Sequence, residues 1–253
     1  PRQDRRVEFL LASVAELQLA LRRQGGDLTV LHAQAQIAIP ELARQLGVEA
    51  VFCDRDYEPA ALARDANVKS LLTQVGIQFL QYKDQVIFEQ DEVLTQLGKP
   101  FSVFTPYKNA WLKKLTAFHV KPYPLDKYTA AFARVAVQSL PSLQQLGFEP
   151  TNLGELKITP GMSGASALLA DFLTRIDNYQ QSRDYPGVKG VSYLSVHLRF
   201  GTTSIRHLAR LAWRGTQPEA GPGHDTWLNE LIWRDFYQQI QIGRASCRER
   251  VSS

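Results

Sequence analysis

The sequence predicts an α/β protein: a parallel-sheet, Rossmann-like N-terminal domain followed by an all-α domain. Three observations predict it. Short β-rich runs alternate with amphipathic helical segments over the first half, as βαβ units do when helices cover both faces of a sheet. Prolines then scatter through KPYPLDKY, QSLPSLQQLGFEP and ITPG, between Pro122 and Pro160, which reads as a connection running over the surface. Beyond it the periodicity is helical throughout. The expected division is residues 1–121 α/β, 122–160 interdomain linker, 161–241 the start of a helical domain, and 242–253 a tail outside the native fold.

Each element has its own signal. Leu10, Val14, Leu17 and Leu21 recur at i, i+4, i+7 and i+11, so a first helix is expected to bury that stripe and to stop at Gly25-Gly26. DLTVLHA follows as a short strand. PELARQLG predicts a helix with Pro40 at its first position and Gly47 closing it. EAVFCD is a compact strand, and Pro59 opens a helix running to about Val75. IQFLQY and QVIF predict two further strands. Past the linker, Ser163 to Asn178 reads as one helix with Ser163 or Ser166 as its cap. Thr203 to Trp213 is a second, and a third is capped by Asp225. The series opens on a helix where a doubly wound domain opens on a strand, so a strand is expected ahead of residue 1.

Composition narrows the classes. Hydrophobic residues at 44% and charged residues at 21% describe a globular chain rather than a disordered one. The richest apolar run, ASALLADFL, is broken by Asp171 and is far short of the ~18 residues that cross a bilayer. PRQDRRVEFLL lacks the cleavage site of a signal peptide. Cys53 and Cys247 match no metal spacing, and the setting they imply is reducing and cytoplasmic. The formal net charge is +4, but Arg244, Arg248 and Arg250 against Glu249 supply half of it from the last few residues. Charge alone is therefore weak support for a nucleic-acid partner. There is no GxGxxG, P-loop, HExxH or GxSxG, which sets aside the commonest nucleotide, zinc-hydrolase and serine-hydrolase signatures.

Three stretches carry candidate chemistry. In TWLNELIWRDFYQQI, Leu228, Ile232, Phe236 and Ile240 form an apolar stripe. Glu230, Trp233, Arg234 and Tyr237 take the other side, with Trp227 at its edge; Glu230–Arg234 and Trp233–Tyr237 are i, i+4 pairs. Spacing alone fits equally a helix buried on both faces and a wall that stacks a planar ring and offers it a charge. DNYQQSRDYPGVKGVSYLSVHLRFG places Gly187, Gly190 and Gly201 around Ser192 and Ser195, with Arg183 and Arg199 nearby. Small residues and hydroxyls beside exposed N–H groups suit a pyrophosphate, and they suit an ordinary surface loop as well. VFCDRDYEP ends a strand in three acids and a tyrosine, at the end of the sheet where α/β domains bind ligands. Asp54 and Asp56 have no histidine beside them to make a metal pair, and no metal site is expected.

DYEP, KPFSVFTPYKNAWLKKL, YQQSRDYP, LSVHLRFG and WLNELIWRDFYQQI, in this order, resemble the photolyase/cryptochrome family from residue 1 to about Gln241, and most of all its bacterial cyclobutane pyrimidine dimer photolyases. The resemblance implies an antenna domain, a linker and a helical FAD domain, acting in light-driven repair of dimers in DNA. A cryptochrome-type blue-light photoreceptor without repair is the alternative. It implies that Tyr179 and the run Val191, Ser192, Tyr193, Leu194 and Ser195 hold FAD, together with Trp227, Glu230, Arg234 and Tyr237. Glu230 would hydrogen-bond the dimer, Trp233 would stack on it, and Arg183 and Arg234 would lie near the damaged strand. The partner implied is damaged DNA carrying a pyrimidine dimer, the protein a monomer away from membranes.

Two positions depart from the family. Val191 stands where many relatives have Thr, and Lys99 where folate-binding relatives place an acid. The first takes a hydroxyl from the phosphate cradle, and the second disfavours an antenna of methenyltetrahydrofolate, with deazaflavin or none left open. The resemblance further implies an opening strand before residue 1 and the second half of the FAD pocket after 241. IGRASCRERVSS resembles translated adapter read-through. The chain as it stands is expected to hold FAD weakly and to repair nothing.

Overall fold

The computed structural model describes residues 2–251 other than 90, 134, 216–218 and 220, with side chains described as far as 240. The chain makes two compact units, each assembled from two segments: Pro1–His32 with Pro122–Ser204, and Ala33–Lys121 with Ile205–Ser253. The fold is helix-rich with a small parallel sheet.

In the first unit, α1 (Arg5–Arg23) is capped by Asp4, whose carboxylate accepts the Arg6 N–H at 2.8 Å, and it stops where Gly25-Gly26 predicts. The stripe expected to be its buried face is not buried. Leu10 and Leu17 are 40% and 38% exposed, and the buried side chains are Phe9, Ser13 and Gln18. The reason is the helix it packs against, α5 (Gly161–Leu173). No cap from its own side chains closes the start of α5, and Ser163 and Ser166, expected as caps, lie inside it. Its first N–H groups go instead to α1. Ser13 Oγ accepts from Gly161 N at 3.0 Å, and Glu16 accepts from Ser163 N at 2.9 Å and from its hydroxyl at 3.1 Å. These otherwise orphaned donors turn the polar Ser13–Glu16 side of α1 inward.

Residues 27–33, expected as a strand, join no ladder. The Gln18 amide donates to Leu28 O (3.2 Å) and Gln138 O (3.1 Å), so a side chain takes the place of a neighbouring strand. Among its described residues the proline-rich stretch carries two 3-10 turns, Asp126–Ala131 and Leu153–Leu156, and one isolated bridge, Glu149 to Gln3. The helix expected to reach Asn178 ends at Leu173. Arg175 (φ −130°) breaks it before a 3-10 turn, Ile176–Asn178, and the short helices α6 (Tyr179–Ser182) and α7 (Ser195–Arg199) follow.

In the second unit, α2 (Ala35–Leu46) starts a turn earlier than expected, and Pro40 lies inside it rather than at its first position. The helix tolerates the lost hydrogen bond because it is short and lies over a packed apolar cluster. Gly47 closes it in the left-handed region at φ 60°. Strand β1 (Ala50–Asp54), helix α3 (Pro59–Gln74) and strand β2 (Gln78–Tyr82) form the expected βαβ unit, parallel with Ala50 opposite Gln78. Ala43, Val68, Leu72 and Ile77 make the core beneath the sheet, with Val51 and Phe79 packed on it. On the sheet's other face Phe52 and Tyr82 stack at 6.3 Å and stay exposed.

The fourth expected strand, QVIF at 85–88, is not one. Its backbone is held by side chains from other elements. Asp235 Oδ2 accepts the N–H of Ile87 (3.1 Å) and Phe88 (3.3 Å). Arg234 donates to Gln85 O, and Glu92 accepts the Glu89 N–H at 2.7 Å. With the N–H groups of Ile87 and Phe88 and the carbonyl of Gln85 taken by side chains, the segment joins no ladder.

Helices α4 (Phe104–Lys114), α8 (Ile205–Ala212) and α9 (Pro222–Val251) complete the unit, α9 packing on both others. Asp225, expected as a cap, falls in the first turn of α9, where it pairs with Arg214 at 2.5 Å. The backbone of α9 stays helical past Gln241, where order was expected to end. Among the described residues no helix is long and apolar enough to cross a membrane.

Candidate functional site

The candidate residues divide between the two units, and each half is described within its own. In the second unit α9 buries Leu228, Leu231, Ile232, Phe236 and Gln239, so the apolar stripe read at Leu228, Ile232 and Phe236 is its core face. Trp227 is buried too, at 2% exposed. Glu230, Trp233 and Arg234 are half-buried, and Tyr237 is 62% exposed.

Three contacts register α9 against α4. The Phe104 ring lies flat on Trp233, centroids 3.6 Å apart and planes 6° from parallel. Tyr107 packs on Phe236 at 5.1 Å. Trp111 Nε1 donates to Asp235 Oδ2 at 3.1 Å. Tyr237, one turn beyond Trp233, lies offset from it at 5.4 Å and 24°, which realises the i, i+4 pair. The result is a wall of rings with the Glu230 carboxyl three residues before Trp233, on the same side of the helix by spacing.

Asp235 is the group that motif reading missed. It is wholly buried, and Oδ1 has no hydrogen-bond partner among the described residues. Burial pushes its carboxyl up to about 6, against the pull of the Trp111 hydrogen bond, the Arg234 charge and the two backbone N–H groups. Desolvation wins because one carboxylate oxygen is left without a donor. The only signal in the sequence was an acid at the boundary of an apolar stripe. DRDYEP is equally occupied with packing. Tyr57 donates to Glu89 at 2.7 Å, Arg55 pairs with the same carboxylate at 2.5 Å, and Asp56 accepts the Glu58 N–H at 3.2 Å.

In the first unit, Tyr179 is buried against Phe172, edge to face at 5.5 Å, with the Arg183 guanidinium 5.8 Å over its ring. Arg183 also pairs with Asp184 at 3.3 Å. The loop that follows is pinned from α5. Arg175 donates to Asp171 Oδ2 (2.5 Å) and to Val191 O (2.9 Å), and Lys189 reaches Asp171 Oδ1 at 2.9 Å. These cations hold the Asp171 carboxyl below its usual range. Tyr193 then takes a left-handed backbone, φ 56°, before Leu194 at φ −84° and ψ 0°. Left-handed then right-handed residues turn successive N–H groups into one concavity, a shape that binds anions. The buried Leu194 anchors it, and Tyr193 and Ser195 are exposed on it. A non-glycine residue held at positive φ is uncommon and gives this cradle a stronger footing than its composition did. His197, just beyond, is buried edge to face on Phe9 at 5.4 Å, with Nδ1 2.7 Å from Thr202 Oγ1, and burial pulls its pKa down.

The family model described as DNA photolyase matches residues 1–127. The chain is 34% identical over 252 residues to the deoxyribodipyrimidine photo-lyase of Synechococcus sp. (strain ATCC 27144 / PCC 6301 / SAUG 1402/1), covering 92% of this chain and 50% of that protein. It is 34% identical over 240 residues to an uncharacterized 31.6 kDa protein of Synechococcus sp. (strain PCC 6716), covering 91% of this chain and 82% of that one. The crystal structure of a class III photolyase from Agrobacterium tumefaciens superposes with a TM-score of 0.83 at 24% identity, over 96% of this chain and 51% of that chain. The chain thus spans about half the length of the photo-lyase it matches.

Proposed function

This chain belongs to the DNA photolyase family, and on that premise we propose that the protein carrying it is an FAD-dependent, light-driven lyase that splits cyclobutane pyrimidine dimers in damaged DNA. The observation that carries the reading is the ring wall of α9, with Trp233 fixed flat by Phe104 and Glu230 on the same side of the helix.

The turn at Tyr193 to Ser195 suits the pyrophosphate of FAD: Tyr193 is left-handed, Ser192 and Ser195 bring hydroxyls, with the Leu194 N–H resting on Ser192 Oγ at 3.5 Å, and no acidic side chain lies within the run. Tyr179, buried on Phe172, is assigned to the same cofactor by its motif, as are Trp227, Arg234 and Tyr237 of α9. When bound, reduced FAD supplies the excited-state electron that opens the cyclobutane ring.

The rest is done by side chains of this chain. An extruded dimer stacks on the indole of Trp233, whose large flat face binds pyrimidine rings without regard to sequence. In its protonated form Glu230 donates a hydrogen bond to a dimer carbonyl, one that strengthens as negative charge builds there. Arg183 and Arg234 balance the charge of the damaged strand. An antenna chromophore, methenyltetrahydrofolate or deazaflavin, would extend the usable light and plays no part in the bond breaking.

The test is a repair assay on the gene product carrying these residues, with reduced FAD, blue light and an oligothymidylate bearing one dimer. Dimers should disappear only in the light, and Glu230→Ala, which removes the donor, should slow their loss about tenfold or more. Tight flavin binding with dimers left intact under illumination would instead identify a photoreceptor.

A further inference from the structure

Phe104 was given no role by the motif that contains it, yet it is the first residue of α4 and its ring lies 3.6 Å from Trp233, 6° from parallel. The χ2 torsion of tryptophan sits in a broad well, so a half-buried indole on a helix surface has no fixed plane of its own. On its own helix Phe236 meets the indole edge on at 5.7 Å and Tyr237 lies offset at 5.4 Å and 24°, and the ring nearest and most nearly parallel to it is Phe104 of α4. Phe104, Tyr107 and Trp111 face α9 at successive turns, and the latter two are buried against Phe236 and Asp235. The ring of Phe104 is therefore carried by a helix that cannot turn without breaking two buried contacts.

We infer that Phe104 is a positioning residue for ring stacking at Trp233. The inference rests on the reading of Trp233 as the platform for an extruded base. Phe104 uses one face of the indole and fixes its plane, so an incoming pyrimidine meets a surface already oriented. A flat ring is what the role requires. Leucine or methionine fills the volume and keeps the apolar contact, but neither dictates a plane.

The test uses the 253-residue chain and a labelled oligothymidylate carrying one cyclobutane dimer, with binding read by anisotropy. Phe104→Leu should weaken binding roughly tenfold, the upper part of what one aromatic pair contributes, and should lower the near-ultraviolet circular dichroism of the indole. Phe104→Tyr should restore both, and Trp233→Ala should weaken binding at least as much as Phe104→Leu. Should leucine disturb the fold, Phe104→Met is read in the same way. Parental affinity in Phe104→Leu or Phe104→Met, beside a weakened Trp233→Ala, overturns the role of Phe104 and leaves the platform standing. No preference for the dimer in the parent, or no effect of Trp233→Ala, overturns both.

Discussion

Replacing Asp235 with alanine should cost about 4 kcal/mol of folding stability. Its Oδ2 is the acceptor for three buried donors, Trp111 Nε1 at 3.1 Å and the N–H groups of Ile87 at 3.1 Å and Phe88 at 3.3 Å. A buried donor left without an acceptor costs about 1–3 kcal/mol, and the longer Phe88 bond belongs at the low end. Most single domains have only about 5–15 kcal/mol in all. Asparagine is a sharper probe because it keeps an acceptor and removes the charge. With the carboxyl raised from 3.8 to about 6, the folded state holds its proton more tightly than the unfolded chain does. This contribution to stability is complete below about pH 4 and is lost as the pH rises through 6. The shift is worth about 3 kcal/mol at most. Urea unfolding followed by tryptophan fluorescence from pH 4 to 8 should show that decline in the parent and a flatter profile in Asp235→Asn. A midpoint for Asp235→Ala within about 0.5 kcal/mol of the parent would refute the packing account, and equal pH profiles for the parent and Asp235→Asn would refute the electrostatic one.

Other sites give independent expectations. At Gly161, φ is 83° and an added Cβ would lie 1.7 Å from Glu16 Oε2, so Gly161→Ala should destabilise by at least about 1 kcal/mol, measurable as a lower thermal midpoint. Tyr193 is held at φ 56°, so Tyr193→Gly should unfold no more easily than the parent and gain up to about 1 kcal/mol, checked by urea titration. Arg175→Ala removes the tie from α5 to Val191 O, so amide exchange across residues 187–195 should quicken while the core of the other unit keeps its rates.

The parts of the fold that could be read from sequence are those fixed by local pattern. β1 and β2 are β-rich runs flanking a helix, and α9 carries its stripe at Leu228, Ile232 and Phe236, so both kinds of element were found where expected. The errors lie where a distant side chain decided the outcome. QVIF has the composition of a strand, yet Asp235, 148 residues from Ile87, takes its N–H groups. The leucine stripe of α1 obeys helical period, yet Ser13 and Glu16 are drawn inward because α5 brings donors with no acceptors of their own. For the candidate site, the quoted motifs pointed to both regions. The stack of Phe104 on Trp233 and the left-handed turn at Tyr193 could not be seen, because each is a property of three-dimensional register rather than of residue type.

The discontinuous make-up of the units bears on how the chain is born. α1 is made long before its partner: Gly161, whose N–H it accepts, is encoded 148 residues after Ser13, and its unit runs on to Ser204. At about 5–20 residues per second, some ten to forty seconds of synthesis pass before that unit has all its pieces. Meanwhile the intervening segment Ala33–Lys121 emerges and waits in turn for α9. Each unit waits for a segment encoded later in the chain, so the nascent chain is a client for chaperones at least until α9 is made.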